Sequence, residues 1–253
     1  MTVYEMVFSP TGGTQRVSDC FTKAFSPGSS FIDLTDAGKD FSSYSFRPED
    51  ICVAAVPSYG GRVPGAALSR LAQMKGNGAR AILMAVYGNR AYEDTLVELK
   101  DTLEGAGFLP IAGIAAIAEH SIMRQFAAGR PDVQDEEELS YFAARIRSRL
   151  EADVPEAPLK IPGNRPYREY GGVPMKPQVG NACNRCGLCA QKCPVGAIPL
   201  DAPDHTDTKT CISCMRCIAI CPQKARSVSK MLLAAGSMKL KKACSDYKRN
   251  ELY

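Results

Sequence analysis

The sequence predicts an α/β domain with a doubly wound, five-stranded parallel sheet, followed by a small α+β domain. Three observations lead to this fold class. Over residues 1–152, apolar runs alternate with segments of helical periodicity. Beyond residue 180, a short cysteine pattern occurs twice. The net charge changes between the same two regions, from −4 over residues 1–152 to +8 over residues 153–253.

Most predicted strands of the first domain are apolar runs without polar alternation. Such strands are buried on both faces, which is typical of a parallel sheet covered by helices on either side. In these sheets ligands bind beyond the carboxyl ends of the strands, so the residues after each strand are functional candidates. The predicted strands span residues 3–8, 30–34, 51–56, 79–86 and 109–118, and the predicted helices span 14–25, 64–75, 92–106 and 136–151.

A proline-rich segment, residues 153–180, follows the first domain. Its six prolines and four glycines predict an extended linker that lies across a surface. Residues 181–229 form the predicted second domain, and residues 230–253 form a basic tail that we expect to be helical. The chain has no run of about 20 apolar residues and does not start like a signal peptide. We therefore expect a cytoplasmic protein without membrane insertion.

Nine of the eleven cysteines follow residue 152, and eight of these form two copies of the pattern C-x2-C-x2-C-x3-C-P. The copies, at residues 183–194 and 211–222, are offset by 28 residues. In a reducing compartment such cysteines indicate metal or redox chemistry rather than disulfides. Zinc sites combine two cysteine pairs, not a triplet with a remote fourth cysteine. The spacing therefore favours [4Fe–4S] clusters.

Residues 181–229 resemble a bacterial two-cluster ferredoxin along their whole length. The resemblance implies that the fourth cysteine of each run ligates the cluster of the other run. The first cluster would then be bound by Cys183, Cys186, Cys189 and Cys221, and the second by Cys193, Cys211, Cys214 and Cys217. The remaining cysteines, which we expect to serve mainly in packing, are Cys20, Cys52 and Cys244.

The stretch Ser9-Pro10-Thr11-Gly12-Gly13-Thr14 lies between the first predicted strand and the first predicted helix. It lacks both the lysine of a P-loop and the G-x-G-x-x-G pattern of a dinucleotide site. Backbone N–H groups and hydroxyls at a helix N-terminus remain, and these suffice for one monophosphate. The stretch is similar to the phosphate loop of flavodoxins, and this resemblance implies that the first domain binds FMN.

The same resemblance assigns two further loops to the flavin. In "PSYGGRVPG", residues 57–65, Tyr59 would cover the flavin, and Gly60 and Gly61 would let a peptide turn toward it. The third loop would be "YGNRAYED", residues 87–94. The predicted FMN contacts are Ser9, Thr11, Gly12, Gly13, Thr14, Pro57, Ser58, Tyr59, Gly60, Gly61, Tyr87, Gly88, Asn89, Arg90 and Tyr92.

The whole chain resembles the fused flavodoxin–ferredoxin proteins of anaerobic bacteria and archaea. The resemblance implies a low-potential electron-transfer protein that carries FMN and two [4Fe–4S] clusters and serves redox partner proteins. A stiff linker would hold the second domain beside the flavin loops, with one cluster much closer to FMN than the other. Bound clusters and the FMN phosphate add negative charge, so we do not expect the basic half to bind nucleic acid.

Two alternative functions stay open at this point. One is a flavin-dependent reductase of a small acceptor, with Arg62, Arg90 and His120 as candidate substrate contacts. The other is a docking subunit of a larger redox complex, in which the basic tail would recruit an acidic partner. No residue in the sequence predicts the electron donor, the acceptor or the direction of electron flow.

Overall fold

The computed structural model describes residues 1–152 and 158–253. Residues 1–152 contain five parallel strands in the order β2-β1-β3-β4-β5, which confirms the predicted flavodoxin-like, doubly wound fold class. The strands are β1 (Val3–Val7), β2 (Ser29–Asp33), β3 (Ile51–Pro57), β4 (Arg80–Tyr87) and β5 (Leu109–Ile117). The helices are α1 (Gly13–Phe25), α2 (Gly65–Leu71), α3 (Thr95–Gly105) and α4 (Val133–Glu151).

Apolar packing on both faces of the sheet explains this fold. On one face, α1 and α4 bury Val17, Phe21 and Leu139 against the strands. On the other face, α2 and α3 bury Leu71 and Leu99. The central strands β3 and β4 are buried along nearly their whole length, because continuous apolar strands supply side chains to both layers. The loops after the strands therefore meet at one edge of the sheet.

Helix α2 is shorter than the predicted span of residues 64–75. Pro64 precedes the helix with a ψ of 128° instead of occupying its first helical position, and the helix ends at Leu71. The N–H of Lys75 donates to the carbonyl of Tyr44 at 3.0 Å, a long-range bond that is incompatible with a continuing helix. Helix α4 begins earlier than predicted because Asp132 caps it, accepting from the N–H of Asp135 at 3.1 Å.

The cysteine-rich region is a small α+β unit, as predicted. The unit begins with strand β6 (Gln178–Val179). Two one-turn helices follow, α5 (Leu188–Gln191) and α6 (Arg216–Ala219). Strand β7 (Arg226–Ser227) comes next and pairs antiparallel with β6. Residues 158–177 of the predicted linker form neither helix nor strand. Residues 153–157 of that linker lie outside the described residues.

The sheet has a sixth strand that the sequence did not predict, and C-terminal residues form it. Helix α7 (Lys230–Cys244) is followed by strand β8 (Glu251–Leu252), which pairs antiparallel with β5 and makes the sheet six-stranded. A two-residue edge strand has no apolar period of its own, so the sequence pattern could not reveal it. Among the residues described, no helix combines the length and the apolarity needed to span a membrane.

Buried polar contacts attach the tail to the first domain. Asn250 Oδ1 accepts from the N–H of Ile117 at 2.9 Å. Asn250 Nδ2 donates to Asp135 Oδ1 and to Glu138 Oε2, both at 2.9 Å. Asp135 also forms a buried ion pair with Arg130, with 2.8 Å between Nε and Oδ2. The tail is thus part of the first domain's sheet and of its polar network.

The Asn250→Ala variant should be less stable than the parent protein by about 1–3 kcal/mol, because it leaves the buried N–H of Ile117 without an acceptor. Denaturant unfolding followed by circular dichroism measures the change. Asn181→Ala, at an exposed position, is the matched control and should change stability by less than about 0.5 kcal/mol. Equal effects of the two variants would contradict the structural role of Asn250.

Candidate functional site

A large cavity opens at the carboxyl edge of the sheet, beyond β1, β3, β4 and β5. Its volume is about 700 Å³, which is within the range of pockets for small molecules and cofactors. One side is built by the loops that follow these four strands. The other side is built by residues 168–175 of the linker, by Ile212 and Ser213, and by α7. The cavity therefore lies between the first domain and the rest of the chain.

The loop after β1 presents backbone N–H groups to this cavity. Gly12 has a φ of 89° directly before α1, a conformation that glycine adopts without strain. Ser9 Oγ accepts from the N–H of Gln15 at 2.9 Å and holds the loop against the helix. The N–H groups of Gly13 and Thr14 have no backbone acceptor among the described residues, and the first turn of α1 contains no acidic residue. This helix end is suited to an anion.

The loop after β3 brings Tyr59 to the cavity and contacts the linker. The backbones of Tyr59 and Arg62 bond to each other at 2.9 and 3.2 Å, and Gly60 between them has a φ of 62°. A Cβ atom on Gly60 would lie 2.4 Å from the ring of Tyr170, which belongs to the linker. Only glycine fits between this loop and that ring. Burial raises the pKa of Tyr59 well above its usual value, so the hydroxyl stays protonated.

The loop after β4 is held by the tail. Asn89 Nδ2 donates to the carbonyl of Cys244 at 2.8 Å, and Lys248 Nζ donates to the carbonyl of Asn89 at 2.6 Å. The hydroxyl of Tyr92 donates to Glu251 at 2.6 Å. Asn89 and Tyr92 were both predicted as FMN contacts, but the Nδ2 of Asn89 and the hydroxyl of Tyr92 bond to the tail. This difference arises because the tail is more than 150 residues away in sequence. The Oδ1 of Asn89 is buried and has no partner among the described residues.

The predicted FMN contacts fall into two groups. The cavity is lined by Thr11, Gly13, Thr14, Pro57, Ser58, Tyr59, Gly60, Tyr87, Gly88 and Arg90. The predicted residues outside this lining are Ser9, Gly12, Gly61, Asn89 and Tyr92. Arg62, a candidate substrate contact, also lies outside it and pairs with Glu98 at 2.5 Å.

Sequence reasoning missed the second wall of the cavity. This wall includes Tyr170, Gly171, Gly172, Met175, Ile212, Ser213, Leu232, Gly236 and Lys239. These residues lie in segments without a known motif, and their position depends on how the linker and tail fold back. The one available signal was the pair of glycines beside Tyr170, since a Tyr-Gly-Gly stretch also occurs in the loop after β3.

His120 lines the cavity from the segment after β5. Its Nδ1 accepts from the N–H groups of Ile122 and Met123, at 3.1 and 3.3 Å. Burial lowers its pKa, so the ring is neutral at pH 7 and carries its proton on Nε2. A Cβ atom on Gly88 would lie 2.7 Å from the ring, which explains the glycine at that position. His120 thus has an N–H group to offer at the cavity.

The eight cysteines of the repeat divide between two further cavities. Cys183, Cys186, Cys189 and Cys221 line the one that we call the first cysteine cavity. Cys193, Cys211, Cys214 and Cys217 line the second cysteine cavity. Each cavity therefore combines three cysteines of one run with the fourth cysteine of the other, the grouping that the ferredoxin resemblance implies.

The donor set of these cavities fits an iron–sulfur cluster better than a single metal ion. Among the described residues, no three His, Cys, Asp or Glu side chains are placed to hold one ion. The four thiolates around a cluster bind different iron atoms, so they stand farther apart than the ligands of one ion. Backbone N–H groups also point at cysteine sulfurs, as those of Ala197 and Ala225 do at 3.3 Å. Burial raises the pKa of Cys214 to about 12, so metal binding must release its proton.

The second cysteine cavity adjoins the large cavity. Ile212 lines both of them. Arg70 of α2 donates to the carbonyl of Pro194 at 2.5 Å, and Arg216 of α6 approaches the carbonyl of Pro10 at 3.4 Å. These contacts hold the second cavity against α2 and the loop after β1. The cysteine-rich region therefore lies beside a loop that the flavodoxin resemblance predicts to bind FMN.

Comparisons with known proteins match the two parts of the chain separately. Residues 182–225 match the 4Fe-4S dicluster domain family. The flavodoxin of Streptococcus pneumonia TIGR4 is 18% identical, with 58% of this chain and 99% of that chain covered and a TM-score of 0.42. Oxidised flavodoxin 1 from Bacillus cereus is 15% identical, with 58% and 98% covered and a TM-score of 0.43. No curated protein matches the sequence.

A longer solved chain is also similar to this protein. Rubredoxin oxygen:oxidoreductase from the anaerobe Desulfovibrio gigas is 15% identical, with 60% of this chain and 35% of that chain covered and a TM-score of 0.41. The strand order of the sheet and the dicluster match define the class of the protein. The chain joins a flavodoxin-like fold to a region that matches the 4Fe-4S dicluster domain family.

The Cys221→Ser variant should lose the same cluster as Cys183→Ser, because both residues line the first cysteine cavity. Iron analysis and EPR of anaerobically reconstituted, reduced proteins test this grouping. Cys211→Ser should remove the other signal, and Cys20→Ser, outside both cavities, should remove neither. A Cys221→Ser spectrum that matches Cys211→Ser instead of Cys183→Ser would show that the fourth cysteines are not exchanged.

Proposed function

We propose that this protein is an electron-transfer protein that binds FMN in the large cavity and two [4Fe–4S] clusters in the cysteine cavities. The observation that carries the proposal is the shared wall at Ile212, which separates the proposed FMN site from the second cysteine cavity. When bound, FMN would supply a carrier of one or two electrons and each cluster a carrier of one. The chain's task is to hold these groups at a fixed spacing.

The loop after β1 would hold the FMN phosphate without a lysine. The N–H groups of Gly13 and Thr14 have no backbone acceptor among the described residues. Thr11 and Thr14, which carry hydroxyl groups, line the cavity. The N-terminal end of α1 adds positive potential. Tyr59 and Tyr87 would then border the flavin ring, whereas Asn89 would act indirectly by fixing the loop to the tail.

The two cysteine cavities would hold one cluster each. The dicluster match spans all eight cysteines, and every cysteine of the repeat lines one cavity or the other. Cys186 is exposed, whereas Cys214 is buried next to the first domain. The first cluster would therefore be the one that redox partner proteins in the cytoplasm reach. The second would be the one beside FMN.

The proposed domain organisation follows from these roles. Residues 1–152 would form the FMN domain, residues 181–229 the two-cluster domain, residues 153–180 the linker and residues 230–253 the tail. The described part of the linker supports a rigid arrangement, because Arg165 pairs with Asp101 of α3 at 2.5 Å. The tail supports it as well, because its last strand belongs to the sheet of the FMN domain.

A second function, the reduction of a small acceptor, is favoured by His120. This residue offers an Nε2–H group that no described residue accepts, and α7 adds Leu232, Gly236 and Lys239 to the wall of the same cavity. An acceptor bound between α7 and the flavin could accept a hydrogen bond from the Nε2–H of His120. Under this function α7 would close a substrate site, and it would not be free to serve as a docking tail.

Heat-released flavin from the protein should be FMN, and Thr14→Ala should bind FMN about tenfold or more weakly. The variant loses one hydrogen bond to a charged group, worth about 1.5–3 kcal/mol. Fluorescence titration of flavin-stripped protein measures both affinities. Thr208→Ala, an exposed threonine outside the large cavity, is the control and should bind FMN like the parent. Released FAD, or equal affinities for parent and Thr14→Ala, would contradict the phosphate site.

Electron exchange between the flavin site and the second cluster should occur within one molecule, at a rate independent of protein concentration. Flash reduction followed by absorbance over a tenfold range of concentration measures this rate. The Cys193→Ser variant should lack this intramolecular phase, because a cysteine that lines the second cavity is missing. Cys221→Ser, which changes the first cavity, should keep it.

Two outcomes of that experiment would change the proposal. A rate proportional to protein concentration would mean that the cofactors exchange electrons only between molecules. Rapid, saturable reoxidation by one small acceptor, with no transfer to protein acceptors, would establish the reductase function instead.

A further inference from the structure

Arg226 is a buried arginine without a carboxylate partner among residues 1–152 and 158–253. The residue is only 3% exposed to solvent. Nη1 donates to Thr206 Oγ1 at 2.8 Å, and Nη2 donates to the carbonyl of Pro203 at 2.6 Å. Nε is buried and has no partner among the described residues. All of its recorded acceptors are therefore neutral, and a buried guanidinium of this kind is costly unless a negative charge compensates it.

The guanidinium group of Arg226 lies between the two cysteine cavities. Arg226 and its partner Pro203 line the first cavity, and its other partner, Thr206, lines the second. One cation is thus placed close to both candidate cluster sites.

The first copy of the internal repeat carries an apolar residue at the position of this arginine. With the offset of 28 residues, Arg226 corresponds to Ile198 in the first copy. Ile198 is 4% exposed and lines the second cavity, the position equivalent to that of Arg226 at the first. An apolar side chain therefore satisfies the packing of this unit. The charge in the second copy calls for an explanation other than packing.

We propose that Arg226 is a counter-ion for the iron–sulfur clusters and raises their reduction potentials. The inference rests on the proposed function, because it requires clusters in the cysteine cavities. Reduction adds an electron to a group that is already anionic, and a fixed positive charge in a site shielded from water favours the more negative state. The unpartnered Nε–H of Arg226 is the donor available to a cluster sulfur.

The test replaces Arg226 with the residue that the first repeat carries. In Arg226→Ile protein with full iron content, both cluster midpoint potentials should shift to more negative values in an EPR-monitored redox titration. Arg226→Lys keeps the charge and should keep most of the parental potentials. Lys224→Gln removes an exposed cation two residues away and should leave both potentials nearly unchanged, because water screens that charge.

Three results would overturn the role of Arg226: unchanged midpoints in Arg226→Ile, an equal shift in Lys224→Gln, or an equal shift in Arg226→Lys. If Arg226→Ile does not retain its clusters, Arg226→Gln is titrated in its place with the same criteria, since it keeps polar contacts but lacks the charge. A parent protein that assembles no iron–sulfur cluster would contradict the proposed function itself. Clusters present with unmoved potentials would contradict only the role of Arg226.

Discussion

The carboxylate of Asp94 holds the linker on the first domain, and the shape of the large cavity depends on this contact. Asp94 is completely buried and accepts from the N–H groups of Asn164 at 2.8 Å and Arg168 at 2.7 Å. Its own N–H donates to the carbonyl of Gly61 at 3.0 Å. Burial acts to raise the pKa of Asp94, but the N–H groups of Arg168 and Asn164 outweigh it and hold the pKa below its usual value. The ionised side chain of Asp94 thus binds the linker, while its backbone N–H binds the loop after β3. Tyr170, two residues after Arg168, lies against Gly60 of that loop.

Once the linker is fixed, helix α7 can close the cavity from the other side. A Cβ atom on Gly236 would lie 2.3 Å from the Cε of Met175 and 2.5 Å from that of Met123, so the helix approaches these methionines as closely as a glycine allows. Lys248, after the helix, bonds to the backbone carbonyl of Asn89 in the loop after β4. The tail therefore covers the cavity and fixes one of its loops. A covered cavity strengthens every electrostatic contact within it, because less water screens the charges.

The parts predictable from the sequence are those that a short stretch of chain determines. Apolar runs located four of the five parallel strands, and the cysteine spacing located the two cysteine runs, because each of these signals lies within about 12 residues. The exchange of the fourth cysteine between the runs came from the ferredoxin resemblance. The roles of Asn89 and Tyr92 were not predictable, since their partners in the tail are 155 and 159 residues away. Strand β8 was not predicted for a related reason. Glu251 and Leu252 form an edge strand only by pairing with β5, which is distant in sequence.

The exchange of the fourth cysteine explains why two copies of one unit have different surroundings. Cys193 belongs to the first run but lines the second cavity, so neither cavity can be complete without both runs. Arg70 holds the carbonyl of Pro194, the residue next to Cys193, and this contact fixes the second cavity against the first domain. Because the two cavities share their runs, the first cavity is fixed as well, on the side where Cys186 is exposed. One inner and one outer site therefore follow when an interlocked pair of cavities docks on the first domain through one side, where Arg70 and Arg216 make their contacts.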